Sequence, residues 1–154
     1  MKNSTEYNQA YYRKKKSVEK LSSVLRDNFQ NAALITFQFK PGTPVPFSFV
    51  RKYLLSWDLS ARKRLGGKYE FVRVMEYTNE SAGEMRIHYI TDLTPEQCEK
   101  VVSGWFMGGV EIRRLSRQDL ENPQNALALH PGAFHERTKY KRLWSYTRGI
   151  RNRA

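Results

Sequence analysis

The chain has very little cysteine, few acidic side chains and no long apolar run. Cys98 is the single cysteine among 154 residues, which excludes a disulfide framework and a cysteine-based zinc site and favours a reducing, intracellular compartment. No apolar stretch approaches the roughly 18 residues that a membrane-spanning helix needs, and the N-terminus does not resemble a secretory leader. We therefore expect a cytoplasmic protein without a membrane partner.

Acidic residues are outnumbered by basic ones. The 15 Asp and Glu stand against 27 Lys and Arg, so that the formal net charge is +12. A field of this size on a chain of one-domain length attracts phosphates and other anionic groups. Nucleic acid, either DNA or RNA in single-stranded or structured form, is therefore the expected partner.

Hydrophobic spacing predicts a single domain over residues 1–154, in three parts. Residues 1–30 place apolar side chains every three or four positions, which is typical of an amphipathic helix. Residues 32–115 form the sheet core, and residues 116–154 form a helical and basic tail. The predicted elements of the core are a strand at 32–39, a helix at 47–65, strands at 69–77 and 84–91, a helix capped by Thr94, and a strand at 108–115.

The order β-α-β-β-α-β within 32–115 predicts a ferredoxin-like α+β fold, in which helices cover one face of a four-stranded antiparallel sheet. Side chains alternate across a strand, so one set of positions should meet the helices and the other set should lie on an uncovered face. The positions expected against the helices are Ala33, Ile35, Phe37, Phe71, Met75, Met85, Ile87, Tyr89, Val110 and Ile112. The positions expected on the uncovered face are Thr36, Gln38, Glu76, Arg86, His88, Glu111 and Arg113.

Five sequence blocks resemble the rolling-circle replication initiators of plasmids and phages, which belong to the HUH endonuclease superfamily. They are LITFQF, the glutamate of VMEY, GEMRIHYI, the W-x-x-G-G-V sequence at 105–110, and KRLWSYTRGI. The likeness spans about residues 32–151. In that family a carboxylate and two histidines hold a divalent metal ion, and a tyrosine attacks the scissile phosphate and stays attached to the 5′ end.

The resemblance implies that Glu76 is the carboxylate and His88 the second histidine, while Arg86 stands where the first histidine belongs. A guanidinium stays protonated and cannot ligate a cation, so we expect a vestigial site without metal or other cofactor. The family's nucleophile lies in a Tyr-x-x-Lys block after the fourth strand, and the matching stretch, LENPQNALALHPGAF, contains no tyrosine. No catalytic residue is therefore expected. Arg86 could alternatively be a solvated sheet residue paired with a neighbouring glutamate, with His88 at the surface.

The C-terminal segment, residues 137–153, interleaves basic and aromatic side chains and contains no acidic one. Basic side chains neutralise phosphates, and aromatic rings stack on unpaired bases. The predicted nucleic-acid-binding residues are Arg86 and Arg113 on the sheet together with Lys139, Tyr140, Lys141, Arg142, Trp144, Arg148 and Arg151. Leu143, Trp144 and Ile150 could instead anchor the segment to the core.

Three functions follow from these observations. The first is a pseudoenzyme related to replication initiators that binds DNA or RNA through the sheet face and the C-terminal segment. The second is a phage- or plasmid-encoded inhibitor of a host nucleic-acid-handling ribonucleoprotein, for example a CRISPR effector, because a basic face suits either target. The third is an active single-strand nickase that uses Tyr140 or Tyr146 as a displaced nucleophile.

Overall fold

A five-stranded antiparallel sheet organises the chain in a computed structural model that describes residues 4–42, 45–79, 84–122 and 144–147. The strand order is β4-β1-β3-β2-β5, which confirms the α+β class. The strands are β1 (Ala32–Gln38), β2 (Val72–Asn79), β3 (Glu84–Thr91), β4 (Val110–Leu115) and β5 (Trp144–Tyr146). The helices of the described residues are α1 (Ser4–Asn28), α2 (Phe47–Arg64), α3 (Pro95–Val102) and α4 (Arg117–Glu121).

The first face of the sheet packs against α2 and α3, as the alternation of side chains predicted. Ile35, Ile87 and Tyr89 are fully buried there, and helix residues such as Leu54 and Val101 are buried in the same cluster. One position differs from the expectation: Val110 remains 43% exposed, because β4 is the outermost strand and lies at the margin of the helix layer.

The second face was expected to be uncovered, and this expectation is wrong. Most of the face is buried against α1 and α4 in a second apolar cluster. The sequence carried a signal for this: AALITF and FVRVM are nearly continuous apolar runs, which are typical of strands buried on both sides. The members of the second cluster are Leu21, Val24, Leu25, Phe29, Ala32, Leu34, Val72, Val74, Ile90, Leu115, Leu120 and Trp144.

The sheet also has one strand more than expected. Residues 144–146, which were assigned to the tail, form β5 and pair with β2 in the register Val72↔Tyr146 and Val74↔Trp144. Trp144 is 5% exposed and belongs to the second apolar cluster. A strand of three residues is held only weakly by its backbone hydrogen bonds. Burial of the large Trp144 side chain therefore stabilises the pairing of β5 with β2.

Hydrogen bonds hold both ends of helix α3. At its N-terminus the Thr94 hydroxyl accepts from the Gln97 N–H, and the Gln97 side chain accepts from the Thr94 N–H, which confirms the predicted cap. At its C-terminus Arg64 donates from Nε to the carbonyl of Lys100 and from Nη2 to that of Val101, both at 2.8 Å. Arg64 therefore joins α2 to α3 and satisfies carbonyls that the helix leaves open.

Among the described residues, no helix is both long enough and apolar enough to cross a membrane.

Candidate nucleic-acid interface

The second face of the sheet changes from apolar to polar along the strands. The cross-strand register defines three rows of neighbouring residues. The first two rows run from β4 to β5, and the third runs from β1 to β2. Each row is more polar than the one before it, and the last one ends near the N-terminus of β3. The rows are Arg113-Leu34-Ile90-Val72-Tyr146, then Glu111-Thr36-His88-Val74-Trp144, then Gln38-Arg86-Glu76.

We call Thr36, Gln38, Glu76, Arg86, His88, Glu111 and Arg113 the polar end of this face. The prediction that these residues share one face is confirmed by the register. Thr36 lies opposite His88 and Glu111, and Arg86 lies opposite Gln38 and Glu76, whereas Arg113 lies opposite Leu34 in the first row. β1 and β4 are far in sequence from the consecutive strands β2 and β3, so only the sheet brings the whole set together.

His88 was expected at an open surface and is instead 5% exposed. Its Nδ1 lies 3.0 Å from Oγ1 of Thr36, which is 8% exposed, and the two are hydrogen-bonded. A buried imidazole needs such a partner, and the bond holds the ring in one orientation. The alternative of a solvated surface histidine is therefore wrong.

Arg86 occupies the centre of the most polar row. Its side chain is exposed, and the register places it between Gln38 of β1 and Glu76 of β2. Directly opposed residues on antiparallel strands have Cβ atoms about 5 Å apart, so Arg86 has a polar residue directly opposite it on each neighbouring strand. An exposed, permanently charged donor at this place can bind an anionic oxygen.

Glu111 and Arg113 complete the polar end on β4, and both are exposed. Among the residues that the structure describes, no three histidine, cysteine or carboxylate side chains come together where they could hold a metal ion. The described part of this face offers the exposed charged side chains of Arg86, Glu111 and Arg113 to a ligand.

The C-terminal segment is described only around β5. Lys139, Tyr140, Lys141, Arg142, Arg148 and Arg151, which were predicted to bind nucleic acid, lie outside the described residues. Trp144 is a core residue rather than an open stacking platform, so its burial favours the anchoring interpretation. Tyr146 is half-buried, and its ring stacks on that of Trp144 at a centroid distance of 5.9 Å.

A basic cleft of about 710 Å³ opens next to β5. Arg62 and Lys68 contribute its positive charge, and Nη2 of Arg62 donates to the carbonyl of Tyr69 at 3.3 Å. The Thr147 hydroxyl donates to the Glu70 carboxylate at one wall of the cleft. The full lining is Arg62, Gly67, Lys68, Tyr69, Glu70, Tyr146 and Thr147.

Sequence reasoning missed a buried ionic cluster under α2. The Asp58 carboxylate accepts from Nη1 of Arg73 at 2.5 Å and from the Tyr89 hydroxyl at 2.7 Å. The side chains of Asp58 and Arg73 are only 13% and 14% exposed. Burial raises the pKa of Asp58, although Arg73 and the Tyr89 hydrogen bond act in the opposite direction. A polar position between Phe71 and Met75, on the face that meets the helices, was the available sequence signal for Arg73.

Two buried tyrosines adjoin this cluster. Burial raises the pKa of Tyr89 well above its ordinary value, and nearby Asp58 raises it further. The pKa of Tyr69 is also raised, again chiefly by burial. The hydroxyl of Tyr69 has no hydrogen-bond partner among the described residues, although the side chain is 1% exposed. An unsatisfied buried hydroxyl destabilises the folded state.

Replacing Tyr69 with phenylalanine is expected to raise the free energy of unfolding by about 1 kcal/mol at pH 7, because the unsatisfied hydroxyl is removed without loss of volume. The variant should also resist alkali better. Above pH about 10 the unfolded state releases phenolic protons that the folded state retains, so stability falls as pH rises, by about 1.4 kcal/mol per unit for each buried tyrosine.

Urea unfolding at pH 7 and at several alkaline pH values measures both effects. Tyr89→Phe is the matched control, since it removes the same kind of hydroxyl but also the bond to Asp58. Tyr89→Phe should also lose less stability than the unmodified protein as the pH is raised above about 10, but it should be destabilised at pH 7. Equal stability changes for the two variants at pH 7 would contradict the assignment of Tyr69 as unsatisfied.

Comparisons of the chain with models of protein families, with curated proteins and with solved structures found no match.

Proposed function

We propose that this protein binds nucleic acid through the polar end of the second sheet face, on a ferredoxin-like, replication-initiator-like scaffold that has lost its nicking chemistry. Exposed Arg86 is the observation that carries the proposal. Arg86 lies opposite Glu76 and two residues before His88 on the same strand. In the family that the sequence resembles, a metal-binding histidine occupies this position.

A guanidinium and a metal ion share one property and differ in another. Both present positive charge to a phosphate oxygen, so the contact with a nucleic-acid backbone is retained when one replaces the other. Only the metal polarises the phosphate as a Lewis acid and activates a nucleophile. A site with Arg86 in this position is therefore suited to binding without cleavage.

Other basic residues of the described structure support the same function. Arg113 is exposed on the same face, and Arg62 and Lys68 line the cleft beside β5. In the sequence, the basic residues of the segment 137–153 lie on both sides of β5, whose Tyr146 lines that cleft. With a net charge of +12, the chain as a whole attracts a polyanion before any specific contact forms.

Replacing Arg86 with alanine is expected to weaken binding of a labelled hairpin with a single-stranded tail by about fivefold to tenfold at moderate salt, because one phosphate contact is lost. The dependence of log Kd on log salt should flatten by about 0.7 to 0.9 for that contact. Fluorescence anisotropy across a salt series, with DNA and RNA versions of the hairpin, measures both quantities.

Arg51→Ala is the matched control, because Arg51 is exposed on α2, which covers the other face of the sheet, and its loss changes the net charge equally. It should change the affinity by less than about twofold. If the two variants bind alike, the polar end is not the interface.

A covalent protein–DNA adduct formed with Mn²⁺, and lost in Tyr140→Phe or Tyr146→Phe, would overturn the loss of nicking.

A further inference from the structure

Strand β4 is an edge of the sheet with an unusual degree of exposure. It pairs with β1 on one side, and no described strand pairs with its other side. Val110, Glu111, Arg113 and Arg114 are all exposed, so the strand is open on both faces as well as along its edge. An open edge of this length is a template for pairing with another strand.

The hydrogen bonds to β1 determine which backbone groups of β4 point outwards. The Gln38 N–H donates to the carbonyl of Gly109 at 2.9 Å, so Gly109 faces β1. Because antiparallel pairing alternates, Glu111 and Arg113 also direct their backbone groups towards β1. The N–H and C=O groups of Val110, Ile112 and Arg114 therefore point away from the sheet.

We propose that two copies of this chain form a symmetric dimer by antiparallel pairing of their β4 strands, centred on Ile112. In this register Ile112 lies opposite its own counterpart, and Val110 lies opposite Arg114 of the second copy. All the outward-facing backbone groups of the strand are then paired. The dimer does not rest on the proposed nucleic-acid binding, but Glu111 and Arg113 of β4 also belong to the polar end, so dimerisation is measured on protein free of nucleic acid.

Charge complementarity selects both the partner and the register. A two-fold axis through Ile112 places Glu111 of each copy opposite Arg113 of the other. These are positions that do not exchange backbone hydrogen bonds, where opposed side chains come closest. Both exposed charges on this face of the strand thus meet an opposite charge, and they do so twice because of the symmetry.

The neighbouring symmetric registers are unfavourable. A centre at Glu111 opposes two glutamates, and a centre at Arg113 or at Arg114 opposes two arginines, which is destabilising. Charges that merely protect an edge would repel a second copy in every register. The order Glu111-Ile112-Arg113 instead makes the register centred on Ile112 attractive and the registers on either side of it repulsive. Repulsion in the alternative registers makes the pairing specific.

Charge reversal with rescue tests the dimer. Sedimentation equilibrium of nuclease-treated, nucleic-acid-free protein should give a mass approaching twice 18.1 kDa at high concentration. Glu111→Arg and Arg113→Glu should each weaken dimerisation by about tenfold or more, since each opposes like charges twice. The double variant Glu111→Arg with Arg113→Glu restores opposite charges and should return to within about threefold of the original affinity.

Two further variants guard against effects on folding. Val110→Pro removes an outward N–H at the first residue of an edge strand, so the monomer should fold while the dimer is lost. Glu99→Arg, an exposed charge reversal on α3, should leave the mass unchanged. A protein that stays monomeric at all concentrations, or a dimer that both single reversals leave intact, would overturn the proposal.

Discussion

Replacing Arg73 with methionine is expected to lower the free energy of unfolding by about 3–5 kcal/mol. The guanidinium is the ionic partner of Asp58, and both side chains are largely withdrawn from water. Methionine fills much of the volume but leaves the carboxylate buried with the Tyr89 hydroxyl as its remaining hydrogen-bond donor among the described residues. An uncompensated buried charge destabilises a fold more strongly than loss of the pair as a whole.

The size of this effect should depend on pH. Burial raises the pKa of Asp58 above 3.8, and Arg73 opposes that shift, so the pKa is raised further in the variant. A carboxyl group with a raised folded-state pKa contributes least stability when it is ionised. The deficit of Arg73→Met should therefore be largest near neutral pH and shrink as the solution is made acidic enough to protonate Asp58.

Urea unfolding of three variants tests the assignment. Arg51→Met, an exposed arginine on α2, should change stability by less than about 0.5 kcal/mol. Asp58→Asn combined with Arg73→Met removes both charges and keeps an amide oxygen for the Tyr89 hydroxyl, so it should recover part of the loss. If the double variant is as unstable as the sum of the single ones, the ion pair is not the cause.

Replacing Gly108 with alanine is expected to lower the free energy of unfolding by about 3 kcal/mol. A Cβ at this position would lie 2.1 Å from the carbonyl oxygen of Gln38 and 2.8 Å from the backbone nitrogen of Lys40. Both are main-chain atoms of the neighbouring segment and cannot turn aside as a side chain could. Moving them would break the hydrogen bonds that join Gln38 to Gly109 and Lys40 to Met107.

The adjacent glycine provides the control. At Gly109 the nearest atom to an added Cβ is the side-chain oxygen of Gln38, 4.0 Å away, which is an ordinary contact. Gly109→Ala should therefore change stability by less than about 0.5 kcal/mol, when both variants are unfolded in urea under the same conditions. Comparable losses at the two positions would show that backbone entropy, and not close approach, explains the effect.

Local patterns in the chain predicted the order of the elements and the composition of the first core. Ile35, Ile87 and Tyr89 were assigned correctly because a strand alternates its faces by stereochemistry alone. The start of α3 was correct because a threonine three residues before a glutamine forms a cap within one short segment. Each of these features depends on neighbours in sequence.

The sequence predicted which residues lie on the face of the candidate site, but it did not predict which of them are buried. Alternation placed Arg86 and His88 on one face, which the register confirms. It could not indicate that Thr36 and His88 would be buried together, because their burial depends on packing that the strand pattern does not contain. Trp144 was misjudged for a similar reason, since its strand pairs with β2, some 70 residues earlier.

The sequence by itself determined the excess of positive charge, the presence of an arginine at position 86, and the alternation of side chains along each strand, because these are properties of composition and local geometry. Tertiary structure alone decided that α1 and α4 cover the second face, that Asp58 meets Arg73, and that β4 is an edge strand of the described sheet. Those outcomes depend on contacts between segments that are separate in the sequence. The free energy that stabilises such contacts is a property of the packed pair, so it cannot be read from either segment alone.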